Sequence, residues 1–310
     1  MAKQGRPPTR REALRLFGAA ASAVLLPAPE PLPSQAMRAR TIPSSGEELP
    51  VVGIGTWKAF DVGSSPVERR PLEEVLSAFV RGGGRLVDSS PMYGRAESVV
   101  GEIAQKLGLR SSLFLATKVW TSGGLAGVEQ MERSEKALRA GRLDLLQVHN
   151  LIDVRTHLRT LGAWKAEGRV RYIGITHYVA SAYPEIEQLL RSERLDFLQI
   201  NYSVFEAEAE ERVLPLAAER GVAVIANRPF GGGEALRRAA RRSLPAWAEE
   251  IECRSWAELF LKWILGDAAV TCVIPGTGKV EHLKDNLRAG VGPLPGRDLR
   301  RRIADAAGSF

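Results

Sequence analysis

Cysteine is nearly missing from this chain, with two in 310 residues. Neither belongs to a CxxC pair or to a metal-ligand spacing, which excludes a disulfide framework and a cysteine-built metal centre. Cys253 and Cys272 read instead as small buried hydrophobes. Histidine is almost as scarce, with four residues. No apolar run approaches the roughly 20 residues that cross a bilayer, so no membrane span is expected in the mature chain. The formal charge of +7 is basic, yet no basic stripe interleaved with aromatics accompanies it, so nucleic acid is not an expected partner. The run Arg237, Arg238, Arg241, Arg242 reads as a solvated helix face.

Part of the basic excess sits at the start. Residues 1–36 carry Lys3, Arg6, Arg10, Arg11 and Arg15 against Glu12 and Glu30. A basic start, a short Ala/Leu/Val stretch and a Pro-rich tail ending in Ser34-Gln35-Ala36 make the layout of a secretory signal. Thr9, the Arg10–Arg11 pair and Leu14 resemble a twin-arginine export signal, although Ala13 stands where that pattern prefers a large apolar residue. The resemblance implies the twin-arginine export machinery as a partner and a periplasmic or exported destination. The location is cytoplasmic if the leader is not used. That leaves residues 37–310 as one folded domain.

From Pro50 onward short apolar runs alternate with amphipathic stretches. The runs are 51–56 VVGIGT, 85–90 RLVDSS, 113–120 LFLATKVW, 143–149 LDLLQVH, 172–176 YIGIT, 197–203 FLQINYS, 223–229 AVIANRP and 270–277 VTCVIPGT. They are continuously apolar, as strands buried on both faces are. Between two of them, Val128, Met131 and Leu138 fall at helical spacing. Eight such units in about 250 residues predict an α/β fold of the (β/α)8 TIM-barrel class. The rival, a doubly wound open sheet, calls for a GxGxxG turn after the first strand, and VVGIGTWKAF lacks its third glycine.

In such a barrel the strand C-termini share one mouth, where chemistry is built. Those ends carry Thr56 and Trp57, Asp88, Lys118 and Trp120, His149, Thr176 and His177, Gln199 and Asn201, Asn227 and Arg228, and Thr277. Taken singly, each has a structural explanation; together they place ionisable groups from three strands at one level, where burial is costly unless the charges pair. Pairing Asp88 with Lys118 fixes an ammonium. Tyr93, returned over the mouth by the turn after Asp88, then meets that cation, which is expected to lower the phenol pKa from about 10. The expected result is a proton donor beside His149, which orients a carbonyl by hydrogen bonding. No serine, cysteine or metal cluster supplies a nucleophile, so a cofactor hydride is the economical partner for that proton.

With these residues in view, the chain from 50 to 290 resembles the aldo-keto reductase family. VDSSPMYGRAESVVG is similar to the segment around the family's catalytic Asp and Tyr, FLATKVW to its lysine strand and RLDLLQVHN to its histidine strand. YIGITHY with FLQINYSVF resembles the strands that grip the nicotinamide carboxamide, and VIPGTGKVEHLKDNL the segment that holds the adenosine end. The resemblance implies Tyr93 as general acid/base, Asp88 and Lys118 tuning it, and His149 orienting substrate. It implies a nicotinamide cofactor, NADP(H) favoured over NAD(H), held by Thr56, Asp88, Thr176, His177, Gln199, Asn227, Arg228, Phe230, Thr277, Lys279, His282 and Asn286. Trp57 and Trp120 would line a pocket for an apolar or aromatic carbonyl compound.

The departures are specific. Thr176-His177 replaces Ser-Asn, Asn227 stands in place of a stacking tyrosine, and Gly276 and His282 occupy the usual Lys and Arg positions of the phosphate clamp, with Lys279 nearby. The segment after Asn286 is short, which predicts an open pocket. Two other readings are carried: a nicotinamide-binding sensor without turnover, and a barrel metal hydrolase, for which His149 and His177 alone supply strand-end ligands.

Overall fold

A strand that is apolar on both faces needs cover on both, and a parallel sheet closed on itself inside a ring of helices supplies it. The computed structural model of the chain, which describes residues 35–310, has that arrangement. The export signal expected at the N-terminus lies, but for its last two residues, outside them. Strands β1 (Ala39–Thr41) and β2 (Glu48–Pro50) pair antiparallel as a hairpin. There follow β3 (Ile54–Gly55), β4 (Leu86–Asp88), β5 (Phe114–Val119), β6 (Leu143–His149), β7 (Val170–Thr176), β8 (Phe197–Asn201), β9 (Ala223–Asn227) and β10 (Val270–Val273). These eight form one parallel sheet in chain order, and parallel bridges from Val52 to Val273 and from Gly55 to Gly276 close it.

Helices cross back between successive strands, from Pro66–Arg81 after β3 to Val280–Arg288 after β10. The first shows how the sequence sets such a start. Ser65 accepts from the Glu68 amide, Glu68 reaches back to the Gly63 amide and the Ser65 hydroxyl, and Pro66 opens the helix where its missing N–H costs nothing.

Two corrections concern the N-terminal part. The first run is strand over Ile54–Gly55 alone, and touches its neighbour at Val52 by a single bridge. Its glycines allow a close approach: a Cβ on Gly53 would meet the Leu86 carbonyl oxygen at 2.9 Å. The hairpin was not anticipated, because strands of three residues carry too short a pattern to read. It plugs the barrel floor. Ile42 and Leu49 are fully buried among the inward side chains Leu86, Phe114, Leu145, Phe197 and Ile225. Tyr172 fixes the plug by donating to Glu47 and accepting from the Ser45 hydroxyl, each at 2.7 Å, and Arg171 adds an ion pair to Glu47.

Strand parity then decides what reaches the mouth. Side chains alternate along a strand, so the residues that continue the inward series toward the C-terminal ends are fixed. Phe114 and Ala116 point into the barrel, and Lys118 follows them. Leu86 leads to Asp88, Leu145 to Gln147 and His149, Tyr172 to Thr176, Phe197 to Gln199, and Ile225 to Asn227. The apolar filling of the lower barrel thus gives way to a polar layer at one end.

Candidate active site

The deepest element of that layer is an ion pair. Lys118 is fully buried and Asp88 nearly so, and the ammonium donates to Asp88 Oδ2 at 2.6 Å and to the Ser89 carbonyl at 2.7 Å. The second carboxylate oxygen accepts from Gln199 Nε2 at 2.8 Å and, more weakly, from Gln147 Nε2 at 3.4 Å. Thr176 donates to the Gln199 carbonyl oxygen at 3.0 Å. The charge pair therefore has the extra hydrogen bonds that burial of two ions demands. Burial alone would lower the Lys118 pKa, but the Asp88 carboxylate and the Tyr93 oxygen more than offset it, and the group is held above its ordinary value.

Tyr93 reaches this pair from the turn behind β4. The Lys118 ammonium lies 5.0 Å from its ring centroid, close enough to act on the phenol by charge. The net direction corrects the expectation from sequence. Burial raises the Tyr93 pKa above its usual 10, the Lys118 charge pulls it down without cancelling that rise, and Asp88 adds to the rise. The phenol is thus held protonated, with a cation beside the oxygen that would bear the charge once the proton left.

His149 stands edge-on to Tyr93, ring centroids 6.0 Å apart. Burial first, then the charges of Lys118 and His177, push its pKa down to about 2, so the ring is neutral at ordinary pH. Its Nδ1 lies 3.1 Å from the hydroxyl of Ser90, a buried residue that the strand-end reading passed over. Thr56 donates to the Asp88 carbonyl and accepts from the Ser89 hydroxyl, each at 3.0 Å, tying β3 to the same turn.

A cavity of about 660 Å³ opens above these groups. Of the residues singled out from sequence, Thr56, Trp57, Asp88, Tyr93, His149, Thr176, His177, Gln199, Asn227, Arg228 and Phe230 line it; Lys118 lies beneath its floor. Lys58, Met92, Asn150 and Tyr178 line it as well and were not singled out. Tyr178 stacks on His177 with centroids 5.5 Å apart, a contact between chain neighbours that no spacing rule flags. Trp120 stands beside the cavity, 6.5 Å from the His149 ring, its main chain clamped by Gln130. Thr277, Lys279, His282 and Asn286 do not line it. They follow Gly276, with Thr277 accepting from the Lys279 amide at 3.1 Å and His282 exposed on the helix Val280–Arg288. Among the described residues none beyond Gly276 lines the cavity, so the C-terminal helix Arg297–Ala307 takes no part in its walls.

Comparison with known proteins bears on this arrangement. A methylglyoxal reductase of Escherichia coli, YeaE, is 28% identical over 261 residues, covering 81% of this chain and 89% of its own. An NADP-dependent D-sorbitol-6-phosphate dehydrogenase of Malus domestica is 26% identical, over 83% and 90%. Among solved structures, an aldo-keto reductase from Klebsiella pneumoniae in complex with NADPH superposes with a TM-score of 0.72 at 24% identity, covering 87% of this chain and 95% of its own, and so shares the fold. The family model of the aldo/keto reductases matches residues 51–301. This chain belongs to the aldo/keto reductase family.

Proposed function

We propose that this chain reduces the carbonyl group of aldehydes or ketones to an alcohol with a nicotinamide cofactor, NADPH in preference to NADH, and that Tyr93 delivers the proton. The observation that carries the reading is the meeting of Tyr93, His149 and the buried Asp88–Lys118 pair at one cavity floor.

The residues present fit such a cofactor. Asn227 lines the cavity, donates to the His177 carbonyl at 3.0 Å, and keeps a buried Oδ1 without a partner, an acceptor suited to a carboxamide N–H. Lys58 and Arg228 put two cations on the cavity wall, a pairing suited to a pyrophosphate. Arg228 is held by Glu206 at 3.3 Å, and the glycines at 231–233 bring bare main chain alongside. Thr277, Lys279, His282 and Asn286 then serve the adenosine end, away from the cavity. The NADP-dependent relative and the NADPH-bound neighbour support the phosphorylated form.

When bound, the nicotinamide supplies a hydride to the carbonyl carbon. The residues supply the rest. Neutral His149 hydrogen-bonds the carbonyl oxygen and orients it. Tyr93, held protonated by burial, gives its proton to that oxygen as negative charge grows there. The Lys118 ammonium stabilises the phenolate left behind, and Asp88 keeps the ammonium charged and in place. Trp57, half exposed at the rim, and Trp120 beside His149 favour apolar or aromatic carbonyl compounds. NADPH oxidation in the presence of methylglyoxal and of an aromatic aldehyde tests the reading. Turnover that Tyr93→Phe abolishes is expected; turnover equal to that of Tyr93→Phe would favour a sensor.

We also infer that residues 1–36 direct export by the twin-arginine route. The Arg10–Arg11 pair, the apolar stretch behind it and the small residues up to Ala36 support this. Fractionation of cells that make the wild type and Arg10→Lys/Arg11→Lys chains tests it, and a wholly cytoplasmic wild type would end it.

A further inference from the structure

Ser90 has a place in the site that neither the strand-end pattern nor the pairing of charges assigns. It is fully buried, and its hydroxyl oxygen has two polar neighbours: the Met92 amide, which donates to it at 3.3 Å, and His149 Nδ1 at 3.1 Å. The two contacts differ in kind. An amide can only donate, so one lone pair of the hydroxyl is occupied. The imidazole nitrogen can do either, depending on which ring nitrogen carries the hydrogen.

The two tautomers leave different accounts of buried polar groups. With the hydrogen on Nε2, Ser90 accepts from Met92 and donates to Nδ1, so its proton and the ring's lone pair satisfy each other. With the hydrogen on Nδ1, the ring donates to Ser90, which then accepts twice and holds its own proton without an acceptor in a place water does not reach. A buried donor left unmade is the more costly arrangement. The ring is uncharged, so the two tautomers are the states in question.

We propose that Ser90 is a positioning residue: its hydroxyl holds His149 as the Nε2–H tautomer, so that the nitrogen facing the cavity is a hydrogen-bond donor. A donor there recognises a carbonyl oxygen, which can only accept, and thereby selects the oxidised substrate in the pose that Tyr93 protonates. The opposite tautomer would present a lone pair to that oxygen and repel it. This rests on the reading of the site as a carbonyl reductase.

The four histidines of the chain make the tautomer directly readable. Ring nitrogen-15 spectra of the histidine-labelled protein, with the His149 signals identified by their absence in His149→Gln, report which nitrogen is protonated. A neutral ring with Nε2 protonated is expected in the wild type. In Ser90→Ala the spectrum shifts toward mixed tautomers, and kcat for aldehyde reduction falls by about tenfold or more, as for other loss of an orienting partner, with NADPH affinity unchanged. Ser90→Thr keeps the hydroxyl and restores the wild-type tautomer. An Nδ1–H ring in the wild type, or an unmoved tautomer with unmoved kcat in Ser90→Ala, overturns the proposal. The spectrum needs no turnover and no variant other than the one used for assignment. If Tyr93→Phe proved as active as the wild type, the reductase reading would fail while the tautomer still answered for Ser90.

Discussion

Lys118 and Asp88 sit on neighbouring strands, their charged atoms 2.6 Å apart, and almost no solvent reaches either. Neither is tolerable there without the other. Replacing Lys118 with Met leaves a buried carboxylate uncompensated and is expected to cost about 3–5 kcal/mol of stability by chemical denaturation. In the double variant Lys118→Met/Asp88→Asn most of that stability returns, because no lone charge remains, but reductase activity does not. A Lys118→Met protein as stable as the wild type would mean the pair is not what holds this layer.

Tyr93→Phe keeps the ring and removes the proton. Turnover is expected to fall by roughly 10²–10⁴, the usual worth of a positioned general acid, while NADPH still quenches protein fluorescence with wild-type affinity. Loss of both together would place Tyr93 in cofactor binding instead.

The pH profile of reduction separates two electrostatic accounts of the same phenol. The sequence leads one to expect a pKa lowered by Lys118; in the structure burial prevails and the pKa is raised above 10. The donor form is then present across the neutral range. The rate of reduction should stay level there and decline only at strongly alkaline pH. A decline centred nearer neutrality would restore the first account.

His149 leaves its mark on stability at the other end of the scale. Its pKa is near 6.5 in the unfolded chain and is pushed down to about 2 in the fold. Its contribution is therefore complete above pH 6.5 and is lost progressively as the pH falls toward 2, because the unfolded chain takes up a proton the folded one refuses. The slope is about 1.4 kcal/mol per pH unit from this group. His149→Gln should flatten the fall in melting temperature between pH 6.5 and 4, and a slope equal to that of the wild type would count against a buried neutral ring.

The hairpin plug makes a separate prediction. Leu49 is wholly buried in the barrel floor, and Leu49→Ala should cost about 2–5 kcal/mol with KM for aldehyde and cofactor unchanged. A raised KM at unchanged stability would mean the floor communicates with the mouth.

Much of this was legible in the sequence, for a physical reason. Runs such as FLATKVW are apolar on both faces until their last turn, so a lysine there announces both the end of a strand and a buried cation in need of a partner. Asp88, Lys118 and His149 fall at inward positions of their strands for that reason. Three examples show what was not. β1 and β2 are too short to show a period. Ser90 is one of two adjacent serines in a turn, and nothing in SSP says which faces an imidazole. The balance at Tyr93 depends on how deeply the phenol is buried, a quantity set by Lys118, Asp88 and the turn acting together.

The stopper formed by Ile42 and Leu49 has a kinetic consequence. With the lower end of the barrel sealed, the cavity is a cul-de-sac: whatever enters over the rim past Trp57 must leave by the same opening. Incoming carbonyl and outgoing alcohol therefore compete for one doorway, and the room beside Trp57 governs how quickly the next molecule can be admitted.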